Sequence, residues 1–280
     1  MSEHETSECE ASECETTECE TTECERMDPT IQGNALGHVS HSQLSLWEKC
    51  PRAWEYRYVE KIKTPKSWSL FFGDVYHHAL ECYYINKMRS STDYTQEELN
   101  DLLSDYWNKQ IDQEQIDWKE ESPDRLKGVV VNLINKYIEE VAPLITPIKV
   151  EEWFYSKIEG VKFLLRMDLM DESGAVIDHK TAAKSYPKDR IDKDDQATAC
   201  SFVLQKPIIF YNHVAVKTNT PKIQICKTFR TQDDVDWWYD KAARIILCMK
   251  AGLCPPRTDT WYCDRRYCEF YESCRGHLRY

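Results

Sequence analysis

At about residue 147 the apolar residues change their spacing, and that change decides the class of fold. Before it they recur at helical intervals. Leu126, Val130, Leu133, Ile134 and Tyr137 form one stripe along a helix predicted over 123–140. After it, short runs rich in β-branched and aromatic residues are separated by turn signals. Residues 149–158 and 161–170 read as strands around a turn at Glu159-Gly160, and 175–180 as a third strand after a turn at 171–174. A helix over about 194–204, strands over 208–217 and 222–230 around Asn219, and a helix over 231–250 with Trp237 and Trp238 follow. Upstream, Ser40 is positioned as the N-cap of a helix starting near His41 that carries Leu44, Trp47 and Trp54, with Cys50-Pro51 as a break inside it. Residues 69–87 and 95–109 read as further helices. The order is helices, three strands, helix, two strands, helix, which is an α/β core with a helical insertion before it.

The first 25 residues after Met1 repeat with a period of five, Ser/Thr-Glu-Cys-Glu-x, with Cys9, Cys14, Cys19 and Cys24 in phase and His4 in the cysteine slot of the first unit. No apolar residue recurs at helix or strand spacing, and the like charges repel. Residues 1–26 therefore read as a disordered acidic tail, with a metal-binding tail as the sharper alternative. Met27-Asp28-Pro29 opens ordinary sequence, and Met27 is a candidate start. Residues 27–280 read as one domain: a helical part at 40–145, a sheet core at 148–250, and a cysteine-rich segment at 254–274. Ten Glu and one Arg give the tail a charge of −9, so of the net −12 only −3 belongs to the rest. A nearly neutral body is compatible with a local basic groove for nucleic acid. No apolar run is long enough to span a bilayer, and the acidic N-terminus is not a secretory signal, so a cytoplasmic setting is expected. In such a reducing compartment the thirteen cysteines read as metal ligands or buried thiols.

Two predicted strands carry a chemical pattern. Arg166-Met167-Asp168-Leu169 ends one, and Val176-Ile177-Asp178-His179-Lys180-Thr181 forms the next. Side chains alternate along a strand, so Asp178 and Lys180 share a face and His179 takes the other. The tight turn brings Asp168 alongside. Hydrolysis of a phosphodiester uses such a set. Carboxylates hold hard divalent cations that neutralise the phosphate and acidify water. A lysine beside them orients or deprotonates the water, or stabilises charge on the phosphate. The plain reading of Asp-x-Lys is a solvated strand face with an ion pair. Val176 and Ile177 instead indicate a buried strand, where carboxylates are rare unless something uses them.

This strand–turn–strand, with Asp and then Asp-x-Lys-Thr, resembles the PD-(D/E)XK nuclease superfamily, and in particular its RecB-like domains, including CRISPR-associated and phage-encoded exonucleases. The resemblance runs from about Val39 to Cys274. Residues 40–59, SHSQLSLWEKCPRAWEYRYV, resemble the family's opening helix. Gly73-Asp74-Val75-Tyr76-His77-His78-Ala79-Leu80-Glu81 resembles its G-x-x-x-H helix. The resemblance implies that His77, Asp168 and Asp178 are metal ligands, that His179 lends its backbone carbonyl to the metal, and that Lys180 is the catalytic lysine. Gln196 matches the start of the family's Q-x-x-x-Y motif. Cys200 stands at the Tyr position of that motif, and Leu165 where many members have Gly. His78 has no such match and reads as a surface or core histidine. The implied fold is a mixed central sheet flanked by helices, with an N-terminal helical region and a cysteine-rich C-terminal clasp. The implied cofactor is Mg²⁺ or Mn²⁺. Thr181, Lys184, Lys188 and Arg190, with Lys193 and Tyr186, suit a strand of DNA. Asp189, Asp192, Asp194 and Asp195 offset them, and an ordinary solvated loop is the alternative.

Near the C-terminus Cys263, Cys268 and Cys274 are spaced C-x4-C-x5-C, which argues for a metal or cluster site. The residues leave the fourth ligand open between Cys50 and Cys254, each followed by Pro. Cys254 would make a local zinc knuckle. The resemblance implies Cys50 and a [4Fe-4S] cluster, because the family clasps its domain with one N-terminal and three C-terminal cysteines. Cys82, Cys226 and Cys248 read as core packing. The expected function is a metal-dependent DNA nuclease acting on single strands or ends, as an exonuclease in recombination or repair, in a prokaryotic or phage-infected cell. The alternatives are a catalytically weak or inactive nucleic-acid-binding module of the same fold, and a zinc-organised interaction protein.

Overall fold

A computed structural model describes residues 36–90, 93–218 and 220–276. The pentapeptide repeat, Met27 and Asn219 lie outside the described residues.

The chain enters through a short strand, β1 (His38–Ser40), and passes directly into α1 (His41–Lys49). Ser40 caps that helix, its hydroxyl accepting from Gln43 N at 3.3 Å. Cys50 is extended, with φ −163°, and Pro51 opens α2 (Pro51–Tyr58), so the Cys-Pro pair divides what would be one helix into two. β2 (Lys66–Ser67) leads into α3 (Trp68–Arg89), α4 (Gln96–Gln113) begins with a Thr95/Glu98 capping box, and β3 (Ile116–Asp117) pairs with β2. Next come α5 (Pro123–Glu140), β4 (Pro147–Ile158), β5 (Val161–Asp171), β6 (Val176–Ala182), α6 (Asp195–Leu204), β7 (Ile208–Val216), β8 (Lys222–Arg230), α7 (Gln232–Lys250) and the short α8 (Tyr271–Arg275). The long elements lie within a few residues of their predicted bounds. β1, the β2–β3 pair and α8 are too short to show a period and were not anticipated.

The larger sheet is mixed. β4 and β6 are antiparallel to β5, β6 is parallel to β7, and β8 is antiparallel to β7. β5 changes neighbour along its length. It pairs with β6 only through Leu169 and Met170, and then with β1 in parallel, from His38 opposite Lys162 to Ser40 opposite Leu164. Asp168 sits where β5 and β6 part.

One core packs α1, α2, α6 and α7 on the sheet through Trp54, Phe163, Trp238 and Ile246. The other packs α3, α4 and α5 through Phe71, Tyr76, Trp107 and Ile134 against Leu169, Ile177 and Ala215. Each such buried side chain contributes about 1.5–3 kcal/mol, and together they hold the sheet between two helical layers. Among the described residues no helix is long and apolar enough to cross a membrane.

Candidate active site

The β5–β6 hairpin pairs Leu169 with Ile177, which puts Asp168 and Asp178 in opposing places beside the point of divergence. Asp168 Oδ2 accepts from the His179 backbone N–H at 2.8 Å. From α3, His77 Nδ1 lies 3.3 Å from that oxygen and 3.9 Å from Glu151 Oε1. Asp178 Oδ2 lies 2.8 Å from Lys180 Nζ, and Gln196 bridges the two: Lys180 donates to its Oε1 at 2.6 Å, and its Nε2 donates to Asp178 Oδ1 at 2.5 Å. Thus His77, Asp168, Asp178, Lys180 and Gln196, five residues named from the sequence, meet at one place.

Glu151 was not anticipated. It lies on β4, where Val150 opposes Leu169 and Glu152 opposes Met167, and its side chain is 8% exposed. Its φ of 49° is in the left-handed region, rare for a side-chain-bearing residue within a strand. With His77 and Asp168 it forms a trio whose ligand atoms all lie within 4.8 Å of one another. The only sequence signal was a second acid beside Glu152, and a backbone twist that aims a carboxylate inward leaves no trace in spacing.

His179 takes the opposite face from Asp178, as alternation requires. Its Nε2 lies 3.0 Å from Tyr137 Oη, which is also 2.8 Å from His213 Nδ1 and 3.2 Å from Tyr84 Oη. Burial, and then the neighbouring His213, hold the His179 imidazole well below its usual pKa, so it is neutral. This anchored ring fixes the backbone of the residue between Asp178 and Lys180.

The electrostatics mark the pocket as over-supplied with negative charge. Burial alone would lower the pKa of His77, but Asp168, Glu151 and Asp178 outweigh it and raise it to about 9. Burial raises Asp178 to about 7 against the pull of Lys180, with Asp168 adding to the rise. Burial also raises Glu151. Lys180 is desolvated, yet Asp178 and Asp194 push its pKa up, so it stays an ammonium. Hard oxygen donors with one imidazole suit Mg²⁺ or Mn²⁺. Asp178 Oδ2 is buried against the Lys180 ammonium at 2.8 Å, and a carboxylate oxygen held by one cation keeps lone-pair capacity for another.

A cavity of about 610 Å³ opens beside Lys180 and Gln196 and is walled by His41, Ser45, Tyr186 and Arg190. Arg190 stacks over Tyr186 at 3.8 Å. Thr181 packs against Gly73, where an added Cβ would meet its hydroxyl at 3.6 Å. Lys184 and Lys188 are exposed and line neither this cavity nor the groove beside it, and Lys193 pairs with Asp189 at 2.7 Å. Of the basic loop, then, only Arg190 and Lys193 face the cavity. Cys200, in the expected Tyr position, is buried at 2% exposure and serves packing. Leu165 is likewise in the core.

Cys50, Cys263, Cys268 and Cys274 line one small cavity together with Ala53 and Tyr56. Cys254 does not; Trp47, Glu55 and Cys248 surround it, and burial raises its pKa to about 11. Of the three cysteines read as core, Cys226 is buried, whereas Cys82 and Cys248 are only half-buried, because each sits at the rim of its helix's packed face.

A mixed sheet with helices on both faces, and an acid–acid–lysine set where two strands part, define a nuclease-type α/β core. The profile of the PD-(D/E)XK nuclease superfamily matches residues 38–275, and the chain belongs to that superfamily, whose members are nucleases that typically use a divalent metal. Among solved structures it is similar to a protein named "Putative exonuclease" from Eubacterium rectale, with a TM-score of 0.57 and 14% identity over 87% of this chain and 89% of that one. A second structure, SSO0001, aligns over 89% of this chain and 90% of that one at 12% identity, with a TM-score of 0.41, too low to bear on the fold. A search of curated proteins found no match.

Proposed function

We propose that this protein is a RecB-like, divalent-metal-dependent deoxyribonuclease, an exonuclease acting on DNA ends or single strands in recombination or repair. The observation that carries the reading is the convergence of His77, Asp168, Asp178 and Lys180, from one helix and two strands, with Lys180 lining a cavity open to solvent. His77, Asp168, Asp178 and the His179 carbonyl would hold Mg²⁺ or Mn²⁺, and Glu151 extends the set. The cation would supply charge neutralisation at the phosphate and a more acidic water.

The remaining roles belong to the chain. Lys180 is held as an ammonium by its carboxylate neighbours, which suits an electrostatic clamp on the phosphate. Gln196 fixes the ammonium and the Asp178 carboxylate relative to each other. Asp168 is oriented by the His179 N–H before any substrate arrives.

The four-cysteine cavity supports a [4Fe-4S] clasp in which Cys50 joins Cys263, Cys268 and Cys274. A zinc tetrahedron would bring the sulfurs to about 3.8 Å from one another. Among the described residues no three cysteine sulfurs lie within 4.8 Å of each other, so they are not closed up to that tetrahedron. Such a clasp is structural, closing a loop of roughly two hundred residues whose closure entropy is large.

End-labelled single- and double-stranded DNA, incubated with Mn²⁺ or Mg²⁺ and in parallel with EDTA, tests the activity. Cleavage is expected only with metal and is expected to vanish in Asp178→Ala and Lys180→Ala. Variants that cut as fast as the parent would remove the active-site assignment. Iron, sulfide and zinc analysis with a visible absorption spectrum tests the clasp.

A further inference from the structure

β4 is an edge strand that pairs with β5, and one of its faces carries Glu151 of the acid cluster. In the β4–β5 register Trp153 opposes Arg166, Tyr155 opposes Leu164 and Lys157 opposes Lys162. Opposed residues share a face. Trp153 is 60% exposed and Tyr155 72%, which is unusual for two large aromatics on one sheet face. Each lies near a cation: the Arg166 guanidinium is 5.9 Å from the Trp153 ring centre, and the Lys162 ammonium is 5.2 Å from that of Tyr155. The face adjoins the acid cluster directly, because Arg166 Nε also lies 2.8 Å from Glu151 Oε2.

We infer that this face is a stacking platform for single-stranded DNA, on which Trp153 and Tyr155 each hold one base beside the catalytic acids. The inference rests on the nuclease reading and names the form of substrate that the site takes. Two residues along a strand place the rings about 7 Å apart, about twice the 3.4 Å rise of stacked duplex. That spacing fits a strand whose bases are splayed, and a duplex keeps its base faces covered. Aromatic rings hold bases without reading sequence, and the nearby cations suit the phosphates between them. Arg166 is paired with Glu81 and Glu151, so Lys157 and Lys162 are the cations this face offers, and ammonium groups that would confront their own copies oppose docking of a second copy of the same face.

Fluorescence anisotropy with a labelled oligothymidylate of about twenty nucleotides, in EDTA so that nothing is cut, tests the inference. The double variant Trp153→Ala/Tyr155→Ala is expected to weaken binding on the order of 10- to 100-fold, and Trp153→Phe/Tyr155→Phe to stay near the parent. A duplex with both ends closed by hairpins is expected to bind all three proteins alike. Circular dichroism melts confirm that the exposed substitutions leave the fold intact. Parent-like binding of oligothymidylate by the Ala variant, or an equal loss for the closed duplex, overturns the platform. So does a parent dimer that the Ala variant converts to monomer with DNA binding unchanged, since the face would then be a self-association surface. A parent that cleaves DNA while its binding ignores both aromatics overturns this inference alone. A parent that neither binds nor cleaves overturns the nuclease reading with it.

Discussion

The backbone N–H of His179 donates to Asp168 Oδ2 across 2.8 Å, and it does so at the place where β5 and β6 stop pairing as strands. A side chain thus replaces the sheet hydrogen bond that the diverging strands no longer make. One oxygen of Asp168 is committed to the fold, and the same carboxylate faces His77.

Separating these two duties is a direct test. Asp168→Asn keeps an oxygen for the His179 N–H and loses the charge, so cleavage is expected to fall by two or more orders of magnitude with the melting temperature nearly unchanged. Asp168→Ala also leaves a buried donor unpaired and is expected to lose about 1–3 kcal/mol of stability. Thermal melts beside a cleavage assay check both. Equal stability of the two variants would argue against the hydrogen bond.

The left-handed backbone at Glu151 predicts that stability and metal binding pull apart there. Glu151→Gln and Glu151→Gly both remove the carboxylate beside His77 and Asp168, and both are expected to weaken Mn²⁺ binding in calorimetry. Only glycine relieves the φ of 49°, so Glu151→Gly is expected to be more stable than Glu151→Gln by about 1 kcal/mol. The reverse order in chemical denaturation would show that the strand is unstrained.

His213 predicts an acid sensitivity that does not depend on catalysis. Burial lowers its pKa from 6.5 to about 4 in the folded protein. The unfolded chain therefore binds the proton first as pH falls. Stability from this group is complete above pH 6.5 and is lost progressively between 6.5 and 4, by an amount on the order of 3 kcal/mol. In His213→Asn the unfolding free energy is expected to fall less steeply across that window. Parallel curves for parent and variant would mean that His213 titrates normally.

The cysteine cavity predicts unequal effects for cysteines that look alike in sequence. Cys50→Ser is expected to lose bound iron and much of the thermal stability, because Cys50 shares a cavity with Cys263, Cys268 and Cys274. Cys254→Ser is expected to retain both. Iron content measured on the two purified variants decides it, and a loss confined to Cys254→Ser would point to a local knuckle.

Why some of this was legible in advance follows from how far each signal reaches. Asp178, Lys180 and His179 were placed by strand alternation, which acts between immediate neighbours. Ser40 and Cys50-Pro51 announced helix boundaries by local chemistry of the same kind. Glu151 escaped because its role depends on a left-handed φ and on a partner, His77, from a distant helix. The Tyr84–Tyr137–His213 support behind His179 escaped because its hydroxyls meet across α3, α5 and β7, while each tyrosine taken singly reads as core. Lys184 and Lys188 lie outside the lining of the cavity, and positive charge in a loop says nothing about which way the loop faces.

The partner change of β5 also sets an order of events during synthesis. His38–Ser40 leaves the ribosome early, yet its neighbours Lys162–Leu164 follow more than a hundred residues later. Contacts this distant form late and slowly. A nascent chain that ends before β5 has no partner for its first strand and has neither Asp168 nor Asp178. The acid cluster thus comes together only once most of the polypeptide has been made.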